Sequence, residues 1–397
     1  GYTCYISQVA IVKKLATKAK AWNPGIINIV GGEQPTHLPE DFNIPGIDYI
    51  SRGDGDRVFP MFIDYLQKKG NVLELPGIVK VENGNLIYGV EKEILCDLSE
   101  SPIPARELTS RYRSYYKFLG WNGVGSLATS RGCKNRCKFC SIWKIRNGVT
   151  SQFPIERVVE ELKLIEAESI YFCEAHSFQD IDYMDCLADE LIKNNINKKY
   201  MMYVKVNTVA NNPELFQKWY DIGLRRVFIG FESVSDLRLK KLNKASNNQK
   251  NERAIKILYD IGIEIVSSFI IDLDFTEEDF DILRAWVIAN NLTIPVYNIL
   301  TPLPGNELYE NNKEKLKNIP YEKYDFNHAL LPTRLPEEKF YGQIAQLYLD
   351  TYSFELSEYI KEKLEFNEQK LLSRKKVGKL LATNIRLISR KRDNYEK

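Results

Sequence analysis

Cys133, Cys137 and Cys140 stand in the run Ser-Arg-Gly-Cys-Lys-Asn-Arg-Cys-Lys-Phe-Cys-Ser, a C-x3-C-x2-C spacing that follows a strand-like segment at 124–130. Such a loop offers three soft thiolates and no fourth ligand nearby. Iron–sulfur cubanes are held by cysteine thiolates at short spacings, normally four of them. Three from one loop would leave one iron open to a substrate or cofactor. Two other readings stand beside this one: structural zinc with a distant fourth ligand, and plain burial of small apolar side chains. Structural zinc sites usually pair C-x2-C with a second C-x2-C or an H-x3-H, whereas His37, His176 and His328 are the only histidines and are isolated. The spacing therefore favours a cubane.

With Phe139 as its aromatic residue, the run resembles the C-x3-C-x-aromatic-C signature of the radical S-adenosylmethionine (SAM) superfamily. The resemblance implies a [4Fe–4S] cluster on Cys133, Cys137 and Cys140, with the open iron chelating the amino and carboxylate groups of SAM. Reductive cleavage would then give methionine and a 5′-deoxyadenosyl radical, with an electron donor such as flavodoxin or ferredoxin. The protein's part would be to position the cluster, set its potential and exclude water.

Further candidates follow other strand-like segments. Cys173-Glu174-Ala-His176 stands where the superfamily often has an acidic element near SAM's ammonium, so Glu174 is a candidate acceptor; the common Asp-Asp pair is absent. His176 is a proton donor, a substrate contact or an ordinary loop residue. Lys205 and Asn207 replace an Arg-containing element, and Lys205 could neutralise SAM's carboxylate as a point charge or form an internal salt bridge. Gly230-Phe-Glu232-Ser233 resembles the family's Gly-Ile-Glu-Ser, which implies that Glu232 bonds the ribose hydroxyls or a neighbouring polar group. Thr301-Pro-Leu-Pro304-Gly305 matches Thr-Pro-Leu-Pro-Gly-Thr except for Asn306, and implies a rigid turn against the adenine.

Alternating apolar segments must position these residues. Strands are predicted at 124–130, 169–172, 200–206, 227–230, 264–270 and 292–300, with helices such as 155–167, 214–222, 250–261 and 277–290 between them. Six β/α units imply a partial barrel with its chemistry at the carboxyl ends of the strands. Upstream, Ile11, Leu15, Ala19 and Trp22 fall on one helical face. Short strands are predicted at 26–30, ending in Gly31-Gly32-Glu33, and at 47–50 before Gly53-Asp-Gly-Asp56. The next helix should carry Phe59, Phe62, Ile63 and Leu66 inward, with Pro60 in its first turn. This pattern is the later half of a doubly wound domain. It resembles the cobalamin-binding domain that precedes many radical SAM modules, which implies that Gly31, Gly32 and Gly53 approach the corrin or its nucleotide tail; ordinary strand-to-helix turns are the alternative. The family's first two strands have no counterpart, so the chain reads as a fragment or a cut-down domain. A hairpin around Asn83-Gly84 and a Pro-rich link at 101–104 follow.

The expected fold is thus α/β: a truncated doubly wound cobalamin-binding-type domain (1–75), a hairpin and linker (76–118), a partial (β/α)6 TIM-like radical SAM barrel (119–310) and a helical C-terminal extension (311–397). The extension and the run Cys140-Ser-Ile-Trp143-Lys144 resemble the cobalamin-type group that includes anaerobic magnesium-protoporphyrin ester cyclases. Residues 370–397 hold ten basic and two acidic side chains, and Val377, Leu381, Ile385 and Ile388 share a helical face. Such a helix either docks on the barrel or lies on an anionic membrane. A net charge of +2 over 397 residues gives no reason to expect nucleic acid. No apolar run of about 18 residues is present, and the clustered thiols suit a reducing, cytoplasmic and anaerobic setting. The function implied is cobalamin-dependent C-methylation of an unactivated carbon in a small-molecule, lipid or pigment substrate. Radical rearrangement, ring closure or oxidation without methyl transfer is the alternative, and an inactive fragment with a structural cluster is a third.

Overall fold

The computed structural model describes residues 1–91 and 97–392; part of the expected linker and the last five residues of the basic tail lie outside the described residues. The chain divides into two compact units, one made of Gly1–Ile103, Arg131–Phe153 and Thr301–Asp325, the other of Pro104–Ser130, Pro154–Leu300 and Phe326 onward.

The first unit is built on a five-stranded sheet of β1 (Tyr2–Thr3), β2 (Ile29–Gly31), β3 (Tyr49–Ser51), β4 (Ile78–Glu82) and β5 (Asn85–Tyr88), in that spatial order. β1, β2 and β3 run parallel, and β4 and β5 return antiparallel. The expected hairpin therefore extends this sheet. The strand β1 had no signal in the sequence, since two residues are too few for a period.

Successive strand residues point to opposite faces. Val30, Ile50 and Val79 pack with Val9, Val12 and Ala16 of helix α1 (Val9–Trp22), while Ile29 and Ile78 pack with Val58 and Phe62 of helix α3 (Gly55–Gln67). A short helix, α2 (Glu33–His37), follows β2.

Two expectations need correction. Ile11, Leu15 and Trp22 are exposed, because α1 carries two apolar series and the one with the smaller residues lies on the sheet. In α3, Phe59 and Ile63 are exposed, Phe62 is buried and Leu66 packs at the edge of the core. That helix starts at Gly55, so Pro60 sits past the first turn.

The second unit centres on six parallel strands: β6 (Gly125–Leu127), β7 (Ser169–Phe172), β8 (Lys199–Val204), β9 (Leu224–Glu232), β10 (Glu264–Ile271) and β11 (Ile294–Ile299). Helices α4 (Ile155–Leu164), α5 (Ile181–Lys193), α6 (Val206–Asn211), α7 (Pro213–Asp221), α8 (Asn248–Ile261) and α9 (Glu277–Ala289) lie between them in the chain. Parallel strands need such crossovers, and near-continuous apolar runs made them visible in the sequence. Registers such as Ile170↔Gly125 and Val227↔Ile265 set the strand ends side by side.

The C-terminal part adds α10 (Glu337–Ser353) and α11 (Glu368–Arg392). Gly378 lets α11 cross α10 closely: a Cβ there would lie 2.4 Å from Cβ of Tyr352. Arg374 is buried and donates to the carbonyls of Thr293, Phe354 and Thr351. Ile385 is buried as expected, while Val377 faces outward. Among the described residues no helix is long and apolar enough to cross a membrane.

Candidate active site

The cysteine loop belongs to the first unit. Its entry bends at Gly132, whose φ of +82° is a conformation that glycine adopts without strain. A Cβ at that position would lie 2.1 Å from the Val149 carbonyl oxygen. Within the loop, the Cys140 amide donates to the Cys137 carbonyl at 3.2 Å, and the Trp143 indole N–H donates to the same carbonyl at 3.2 Å. None of the three cysteines is in a disulfide; Cys133 and Cys137 are buried and Cys140 partly so.

Burial pushes the Cys140 thiol up to about 11, against the pull of the Ile142 and Trp143 amides and with the push of Cys137 and Cys133. A thiol in that state is inert until a metal displaces its proton. The Asn135 Nδ2 lies 3.6 Å from Cys133 Sγ, a donor that a thiolate would accept. Among the described residues, no group of three or more His, Cys, Asp or Glu is placed to hold a metal ion. Three soft donors on one loop, two of them buried, are the kind of ligand that an iron–sulfur cluster takes.

The loop is tied to the 301–305 turn of the same unit. Asn306, buried, donates Nδ2 to the Phe139 carbonyl at 3.0 Å and to the Thr301 carbonyl at 3.3 Å. Pro304 is buried, and Gly305 has φ of +87° with the His37 ring pressed against it, so that a Cβ would meet Nδ1 at 2.6 Å.

The glycines of the N-terminal turns are accounted for by the chain itself. A Cβ on Gly32 would lie 2.9 Å from the Cys4 amide, one on Gly31 would touch Ser51, and the Gly53 amide donates to Thr36 Oγ1 at 3.0 Å. These contacts do not single out a donor set for a corrin.

In the second unit, Glu174 lies just past β7 and is buried. Its Oε2 accepts the amides of Thr129 at 2.5 Å and Ser130 at 2.9 Å, and the Thr129 hydroxyl bonds both oxygens at 2.9 Å. Burial raises its pKa, against the donors of Thr129, Ser177 and Ser130. The carboxylate therefore knots the chain after β6 to the end of β7. His176 is also buried, with Nε2 3.2 Å from Thr208 Oγ1.

Lys205 is the residue before α6, and Asn207 donates to the Ala245 carbonyl. At the end of β9 the register breaks between Gly230 and Glu232, and Glu232 has φ of +64°, rare for a side chain of its size. Its Oε1 accepts from Lys244 Nζ at 2.8 Å, both side chains being 9% exposed. Gly230 makes room, since a Cβ there would lie 2.1 Å from that oxygen. Ser233, buried, accepts the Ser235 amide at 3.1 Å. Lys244 had no signal in the sequence; Asn306, standing before a helix it caps, had one.

Comparison with known proteins is consistent with this geometry. Residues 127–287 match the family model described as the radical SAM superfamily. The chain is 28% identical over 346 residues to a hopanoid C-3 methylase of Methylococcus capsulatus, covering 86% of this chain and 66% of that protein. It is 25% identical over 376 residues to an anaerobic magnesium-protoporphyrin IX monomethyl ester cyclase of Rubrivivax gelatinosus, covering 89% of this chain and 64% of that protein. The chain thus spans about two thirds of the length of these relatives. Among solved structures, the cobalamin-dependent S-adenosylmethionine radical enzyme OxsB, with aqua-cobalamin and S-adenosylmethionine bound, aligns with a TM-score of 0.61 at 22% identity, over 80% of this chain and 46% of that one. The radical S-adenosylmethionine methyltransferase TsrM from Kitasatospora setae aligns with a TM-score of 0.62 at 15% identity, over 79% of this chain and 62% of that one. At these identities the structural likeness speaks to the fold alone. Over residues 127–287, which carry Cys133, Cys137 and Cys140, the chain is similar to the radical SAM superfamily.

Proposed function

We propose that the chain is an enzyme that cleaves SAM reductively and, with cobalamin, methylates an unactivated carbon of an apolar small molecule. The observation that carries this is the loop of three cysteines outside any disulfide, on a chain similar to a protein named a hopanoid methylase. A [4Fe–4S] cluster on Cys133, Cys137 and Cys140 would supply the electron that splits SAM into methionine and a 5′-deoxyadenosyl radical. The chain's own residues bind and orient. Asn306 ties Phe139 to the turn that holds Pro304 and Gly305, and these three suit an apolar wall for the adenine. Glu232, fixed by Lys244, and Ser233 offer polar groups at a strand end in the manner of ribose recognition, while Lys205, Asn207 and Glu174 stand at neighbouring strand ends of the six-stranded parallel sheet.

The substrate is read as apolar because Tyr171 and Tyr203 stand two residues before Cys173 and Lys205, on the same face of the sheet. Their hydroxyls bond at 2.9 Å, and their rings pack in a file with Phe118 and Phe228. An anionic membrane surface suits the outer side of α11, where Leu372, Leu380 and Leu387 are exposed beside Lys375, Lys376 and Lys379.

The likeness to magnesium-protoporphyrin ester cyclases supports a second reading, ring closure or oxidation without methyl transfer. Anaerobic reconstitution of the native full-length protein with iron, sulfide and hydroxocobalamin separates the two. Stoichiometric cobalt, with 5′-deoxyadenosine and S-adenosylhomocysteine formed together, is expected for methylation. Iron without cobalt, and deoxyadenosine alone, would replace it by the second reading. No SAM cleavage at all would leave a structural cluster.

A further inference from the structure

Both flanks of the cysteine loop are held by acids from one place. The turn after β3 is Gly53-Asp54-Gly55-Asp56, and Asp56 accepts from Arg131 at 2.7 Å, two residues before Cys133. Asp54 lies 3.8 Å from the same guanidinium. On the far flank the guanidinium of Arg146 is buried, with Nε 3.5 Å from Asp54 Oδ2. Ser101 Oγ donates to the other Asp56 oxygen at 2.6 Å and fixes the carboxylate's plane. The turn after β2 adds a third tie: Glu33 accepts from Ser141 Oγ, the residue after Cys140, at 2.7 Å. Thr36 joins the two turns by donating to the Gly32 carbonyl and accepting the Gly53 amide.

In open parallel α/β sheets this carboxyl end of the strands is where ligands bind. Here its acidic turn is occupied by two of the loop's three arginines, Arg131 and Arg146. A buried guanidinium stripped of its counter-charge is costly, so the pairing fixes where the loop can begin and end. Gly132, beside Arg131, adds a bend that packs on Val149 and leaves little slack between the two arginines.

We propose that this turn is a positioning clamp on the cluster loop: Asp56 through Arg131, and Asp54 through Arg146, fix both ends of the segment that carries Cys133, Cys137 and Cys140. The two aspartates act on the cluster without touching it. The proposal rests on the reading of those cysteines as cluster ligands, and gives the turn a role other than cradling a corrin.

The test uses the full chain reconstituted without oxygen with ferrous iron and sulfide. Iron release to a ferrous chelator is timed, and the electron paramagnetic resonance spectrum of the reduced protein is recorded. Asp54→Asn with Asp56→Asn is expected to load the same iron but release it about tenfold faster, the usual scale for residues that orient metal ligands, with shifted g-values. The exchange Asp56→Arg with Arg131→Asp is expected to bring release back to within about threefold of wild type. Wild-type release and spectrum in the asparagine variant, or an exchange no better than that variant, overturns the clamp. A metal-free arm keeps this separate from the cluster assignment. Trypsin should cut the apo chain at the exposed Lys134, Arg136 and Lys138 about tenfold faster in the asparagine variant. Equal cutting overturns the clamp even where no iron binds, whereas a wild-type chain that takes up no iron and sulfide overturns the cluster reading instead.

Discussion

Asn306 Nδ2 donates to the Phe139 carbonyl at 3.0 Å, so one buried amide holds the residue before Cys140 to the turn that ends at Gly305. The same side chain caps the short helix after it, its Oδ1 accepting the Tyr309 amide at 2.8 Å. A threonine, the residue of the motif this turn resembles, could cap that helix but could not span two carbonyls and an amide at once.

Asn306→Ala removes the cap, worth about 1 kcal/mol, and leaves two carbonyls without their donor, at about 1 kcal/mol or more each. A loss of about 2–4 kcal/mol is expected in denaturant unfolding, with Asn306→Thr losing about half of that. An alanine variant within about 0.5 kcal/mol of wild type would show that the tie between loop and turn is incidental.

The Glu232–Lys244 pair supports a sharper test. Glu232→Ala removes the carboxylate from beside a largely buried ammonium, and a loss of about 3–5 kcal/mol is expected. Glu232→Gln combined with Lys244→Met removes both charges and should cost distinctly less, because no lone charge stays buried. The order is checked by urea unfolding of both variants. A double variant as unstable as Glu232→Ala would mean that the left-handed backbone at 232, rather than the charge pair, governs the site.

These two cases show what the sequence can carry. The strand at 169–172 and the helices beside it were legible because buried parallel strands are unbroken apolar runs and crossover helices have a 3.6-residue period. The capping role of Asn306 was legible in principle from its place before Glu307. The partner of Glu232 was not, since nothing in the spacing selects Lys244 among the lysines of 240–250. Nor was the inner face of α1, because Val9, Val12 and Ala16 and the series Ile11, Leu15, Trp22 have the same helical period. Only the sheet's demand for close approach separates them.

Asp56 gives the acid response a definite sign. Burial alone would raise its carboxyl, but the hydrogen bonds of Arg131 and Ser101 and the charge of Arg131 outweigh it and hold the pKa below the ordinary aspartate range. A depressed folded value adds stability that is fully present above the unfolded pKa, about 3.9, and is lost as pH falls through the folded one. The stability gap between wild type and Asp56→Asn should therefore stay level from about pH 7 to 5 and shrink below about pH 4. Denaturant midpoints of both proteins across that range check it. A gap that widens in acid would contradict the assignment of Arg131 as the partner.

Glu174 separates two roles that one residue could play. Its oxygens already accept the Thr129 and Ser130 amides and the Thr129 hydroxyl, so Glu174→Ala strands two buried amides at about 1–3 kcal/mol each. Glu174→Gln keeps an acceptor where those amides point and removes only the charge. If the knot between the ends of β6 and β7 is the whole role, the glutamine variant binds SAM within about threefold of wild type, which is less than about 0.7 kcal/mol. The alanine variant then loses binding and stability together. Because burial raises the folded pKa of Glu174, its contribution is fully present below the unfolded value of about 4.3 and falls as pH rises through the folded one. Glu174→Gln should accordingly gain on wild type in stability as pH rises above about 4. Calorimetric SAM binding and urea unfolding on the same three proteins decide it: a glutamine variant of undiminished stability whose SAM affinity drops more than about tenfold would assign the carboxylate to the SAM ammonium after all.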